Sequence, residues 1–74
     1  MTKETLIKRL NALIRAHKRE IKRLIETSDK LTAEHFTKAV KIREREIKSL
    51  KIKCNYLRSG GSVAEVLNEL RMEV

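Results

Sequence analysis

Two apolar seams of nearly equal length, interrupted once between Ser28 and Thr32, constrain this chain more than any other feature. Ile7, Leu10, Ile14, His17, Ile21 and Leu24 follow at spacings of three and four, the repeat that aligns side chains along an α-helix. Leu6, Leu13 and Ile25 flank that line and widen it into a stripe. Beyond the interruption, Ala33, Phe36, Val40, Arg43, Ile47, Leu50, Cys54 and Leu57 repeat the same spacing. The pattern predicts a helix over 3–28, a turn over 29–32 and a second helix over 33–58. A turn of about four residues makes neighbouring helices antiparallel, so the seams can meet over about 37–40 Å.

The helix ends carry their own signals. Thr2 is a candidate N-cap with Glu4 close behind it, and Thr32 is another, followed by Glu34. Leu31 and Phe36 have the spacing of a hydrophobic staple. Ser59-Gly60-Gly61 closes the second helix, with glycine available for a left-handed cap. Ser62-Val63-Ala64-Glu65 then reads as a capping box opening a third helix over 62–72, whose apolar face is Val63, Val66, Leu67 and Leu70.

The segment Ile47–Leu57 is richer in apolar residues than one seam requires. Ile42, Ser49, Ile52 and Tyr56 form a second, weaker stripe beside it. Period-two alternation from Leu50 to Cys54 would suit a strand, but the flanking heptads stay in phase and no second strand exists to pair with it. The segment is therefore read as a helix facing two neighbours. One is the first helix; the third helix and a second copy of the chain would share the other face.

The fold class expected is all-α: a long, coiled-coil-like antiparallel hairpin with a short third helix folded against its open end, in one domain. With 74 residues and one cysteine, neither a large core nor an internal disulfide is available. Regular helix packing and self-association remain as sources of stability. A homodimer forming a helical bundle is expected, with Leu6, Leu13, Ile25, Ile42, Ile52 and Tyr56 as the oligomer or partner interface.

Little in the chain suggests catalysis. His17, His35 and Cys54 are too far apart along a hairpin to share a metal, and no paired-ligand spacing occurs. There is no general acid/base pair and no glycine-rich phosphate loop, so a non-enzyme without a cofactor is expected. Cys54 reads as a small core hydrophobe. His17 and Arg43, the polar breaks in the two seams, read as a register-setting layer, with Glu20 as a candidate partner for Arg43.

Charge supplies the functional signal. The net charge is +8, and it is distributed unevenly. Residues 1–58 hold 17 Lys and Arg against 7 acids, whereas 59–74 hold one Arg against three Glu. Lys8, Arg15, Arg19 and Lys22 align on the outer face of the first helix; Lys38, Lys41, Arg45 and Lys48 align on that of the second. Two such rows suit a phosphate backbone, DNA or RNA, more than a specific base sequence. Solvated lysine faces are common, but few glutamates here sit where they would neutralise the rows. The alternative is an adaptor or inhibitor, bacterial or phage-encoded, docking an acidic or helical protein through the apolar stripe or the third helix. No apolar run exceeds three residues, so no membrane span is expected, and the single cysteine fits a cytoplasmic setting.

Overall fold

The computed structural model describes the backbone of residues 1–73 and the side chains of residues 1–70. Three helices follow one another: α1 (Lys3–Glu26), α2 (Ala33–Arg58) and α3 (Val63–Glu73). The first two pack as a long hairpin, within overall extents of 43 × 19 × 18 Å.

Each boundary has a local cause. Thr2 lies in extended conformation, and its hydroxyl accepts from the Thr5 N–H at 3.2 Å, capping α1. α1 stops at Glu26, two residues earlier than its periodicity suggests. Thr27 turns its hydroxyl back to donate to the Arg23 carbonyl at 3.0 Å, and a single 3-10 turn over Ser28–Lys30 follows. Side-chain bonds of this type compete with helix continuation. Thr32 caps α2 by accepting from the His35 N–H at 3.2 Å.

At the far end of α2, Gly60 adopts φ +101°, the left-handed region that favours glycine. The Gly61 N–H donates to the Tyr56 carbonyl at 2.8 Å and the Gly60 N–H to the Leu57 carbonyl at 3.1 Å. These two bonds together define a Schellman cap. They turn the chain so that α3 runs back over the open end of the hairpin. The segment Ile47–Leu57 is helical throughout.

The seams do not bury evenly. Leu6, Leu10 and Ile14 of α1 meet Ile47, Leu50, Cys54 and Leu57 of α2, and Val66 of α3 completes this core. Val63, Leu67 and Leu70 pack against its edge. Nearer the turn, Ile21, Leu24, Phe36 and Val40 are only half-buried, and Ala33 is exposed. Two helices alone enclose a narrow line; the third layer deepens the burial at one end only.

Leu6 illustrates that difference. The sequence placed it on an interface awaiting a partner, yet it is 2% exposed, enclosed within the chain in the core that also holds Val66 of α3. Lys53 was not expected inside either, but it is 6% exposed and donates to the Ser49 hydroxyl at 2.6 Å. Its aliphatic stem lies in the packing while the ammonium finds polar partners.

Candidate polyanion-binding groove

On an α-helix, positions i−3, i+1 and i+4 lie along one flank of a seam residue i. Around Ile14 those positions are Asn11, Arg15 and Lys18; around Cys54 they are Lys51, Asn55 and Arg58. Because α1 and α2 run antiparallel, the same flank of each seam turns to the same side of the hairpin. The structure brings these six residues to a single groove of about 360 Å³. Ile14 and Cys54 form its floor, Asn11, Arg15 and Lys18 one wall, and Lys51, Asn55 and Arg58 the other.

Four cations therefore surround a shallow, two-walled space, and among the described residues no carboxylate lines it. Cations of one sign gathered around one groove sum to a field that concentrates anions. Cys54, buried at the base, directs its thiol toward Asn11 Oδ1 at 3.9 Å, and that contact puts the two walls in register. A second hollow of about 400 Å³ shares Lys51 and extends past Ile47 to Lys48, Arg45 and Glu44. The cationic strip thus continues along α2, with one acid at its margin.

All eight cations of the two outer rows are exposed. Arg15 belongs to the groove, and Arg45 and Lys48 to the adjoining hollow. Lys8, Arg19, Lys22, Lys38 and Lys41 line neither space. Lys38 is paired with Glu34 at 3.1 Å, an exposed contact of small energetic weight. Among the described residues, no carboxylate pairs with the other seven.

Row-by-row reading of the sequence missed Lys18, Lys51, Arg58 and the two asparagines. They flank the seams rather than occupy the outermost positions of the helices. The matching offsets around Ile14 and Cys54 were the available signal.

The opposite side of the hairpin is occupied differently. The Tyr56 hydroxyl donates to Glu65 of α3, so the side chain expected to complete the capping box at Ser62 is engaged elsewhere. Half of the box survives: the Glu65 N–H donates to the Ser62 hydroxyl at 3.4 Å. The bond to Glu65 raises the phenol pKa above its ordinary value of 10.0, against the opposing pull of the Ser62 backbone amide. Leu13, Ile25, Ile42 and Ile52 remain exposed, as does part of Tyr56.

His17 and Arg43 meet across the seam, Arg43 Nη1 lying 3.0 Å from His17 Nδ1, so Arg43 reaches His17 rather than Glu20. Among the described residues, no group of three or more His, Cys, Asp or Glu side chains is placed to hold a metal ion. Nor is any described helix long and apolar enough to cross a membrane. No family model, characterised protein or solved structure matches this chain.

Proposed function

We propose that this chain is a non-enzymatic nucleic-acid-binding protein that holds the phosphate backbone through its cationic helix faces. The observation that supports this reading best is the groove between α1 and α2, where Arg15, Lys18, Lys51 and Arg58 converge with no carboxylate among the described residues that line it. A chain that needed lysines only for solubility would have no reason to concentrate them across a concave inter-helix space. The exposed rows add further cations on either side. Because no aromatic side chain lines the groove, recognition rests on backbone charge rather than base stacking.

The test is a titration of fluorescently labelled oligonucleotides at two salt concentrations. Four phosphate contacts on a single strand, each contributing a slope of about 0.7, lower the affinity about 50-fold between about 50 and 200 mM salt. Failure to bind DNA or RNA at about 50 mM salt would remove the proposal.

A second feature supports self-association. Ile42 and Ile52 are 58% and 59% exposed on the α2 face that points away from the hairpin seam. We propose that these residues, with Leu13 and Ile25, are covered in a twofold dimer. Light scattering at micromolar concentration tests it directly: a compact 8.6 kDa monomer excludes the dimer and leaves the apolar residues to a different protein partner.

A further inference from the structure

We infer that the groove between α1 and α2 seats one strand of nucleic acid rather than the side of a duplex. This rests on the nucleic-acid reading above and specifies its substrate class.

The groove holds about 360 Å³ between helices whose axes pack roughly 8–10 Å apart. A space of that size is concave across the width of one chain only. A duplex presents two phosphate ridges separated by grooves of about 6 and 12 Å. It would rest on the outer cations and span the groove without reaching the floor at Ile14 and Cys54. A lone strand can enter, because its phosphates then meet cations from both walls at once.

The Cys54–Asn11 contact sets the levels of the two walls. From it, Asn11 and Asn55 fall at adjacent heights, with Arg58 on the open-end side and Arg15, Lys51 and Lys18 on the other. A cationic side chain can only donate, to phosphate or to anything else, whereas an amide both donates and accepts. Two amides in the middle of a cationic track suit sugar hydroxyls and base edges. Those edges are freely presented only where bases are unpaired. The floor, Ile14 and Cys54, is apolar and can take the face of a sugar or base without leaving a polar group unsatisfied.

The experiment compares a single-stranded oligonucleotide with the duplex of the same sequence, using wild type and two double variants. Lys18→Gln/Lys51→Gln removes one cation from each wall; Lys8→Gln/Lys41→Gln removes two from outside the groove. Both pairs lower the net charge equally and all four lysines are exposed, so both proteins should keep wild-type helicity by circular dichroism. The single strand should bind more tightly than the duplex. The groove pair should reduce the salt slope for single strand by about 1.4, two contacts at about 0.7 each, while the outer pair should reduce it less. Equal or tighter duplex binding, or equal slope losses for the two pairs, overturns the single-strand inference while leaving nucleic-acid binding intact. Absence of binding to either form overturns both.

Discussion

Arg43 Nη1 lies 3.0 Å from His17 Nδ1, a contact between residues 26 apart that joins the two polar breaks in otherwise apolar seams. A guanidinium only donates, so Nδ1 accepts and the Nε2 nitrogen carries the ring proton. The contact is directional, and a slip of one helical turn would separate its partners by about 5.4 Å. It therefore holds the hairpin in register at this level.

This pair should behave as a unit under mutation. His17→Leu strands a half-buried guanidinium and Arg43→Leu strands an imidazole acceptor, each costing about 1–3 kcal/mol. The double variant removes both orphaned groups and should recover most of that loss. Urea denaturation of all four proteins reads the coupling. Strictly additive losses would show that the two residues do not support each other.

The Schellman turn predicts two glycine substitutions with different causes. Gly60 has φ +101° and open space around its Cα, so Gly60→Ala pays only for backbone strain, about 1–2 kcal/mol. At Gly61 the conformation is ordinary, but an added Cβ would run into the Tyr56 ring. Gly61→Ala should therefore displace that ring and break its bond to Glu65. In a Tyr56→Ala background the Gly61→Ala penalty should largely vanish, while the Gly60→Ala penalty persists. Thermal unfolding of the six proteins separates the two mechanisms.

Tyr56 also gives the fold a pH dependence. Its bond to Glu65 holds the phenol pKa above 10.0 in the folded chain. The folded state then keeps a proton that the unfolded state releases, so this contribution to stability is intact below pH 10 and is lost as pH climbs through the folded-state value. Tyr56 is the chain's single tyrosine and there is no tryptophan, so tyrosinate absorbance reports this site alone. The titration midpoint should lie above that of the urea-unfolded chain. Tyr56→Phe should weaken the fall in stability at high pH.

These contacts mark where the sequence was legible. The seams, the caps at Thr2 and Thr32 and the glycine turn follow from periodicity and local chemistry, and each appears in the structure. What α3 does to its neighbours was not readable in the same way. Its path depends on the angle set at Gly60, and that angle decides which flank of the hairpin is covered. Leu6 and Lys53 were enclosed on that side, and Glu65 was drawn from its own helix start to Tyr56. The other flank stayed open, and there the groove cations came together. The offsets shared by Ile14 and Cys54 encode that meeting, but only once the two helices are known to be antiparallel.

Leu6 and Leu13 provide the last comparison, because both flank the α1 seam and the sequence treats them alike. Leu6 is 2% exposed and Leu13 is 45% exposed. Leu6→Ala should cost about 2–5 kcal/mol, since it empties a fully enclosed site beneath α3. In a monomer, Leu13→Ala should fall within about 0.5 kcal/mol of wild type, as surface substitutions do. If the proposed dimer forms, the Leu13 effect acquires a signature that Leu6 cannot produce. Stability drawn from association grows with protein concentration, so the Leu13→Ala deficit should widen as concentration rises. The Leu6→Ala deficit, arising inside one chain, should keep the same size. Denaturant midpoints measured across a hundredfold range of concentration distinguish these cases. A Leu13→Ala deficit that stays small and constant removes Leu13 from any self-association surface, whereas one as large as that of Leu6 at every concentration would contradict its exposed position.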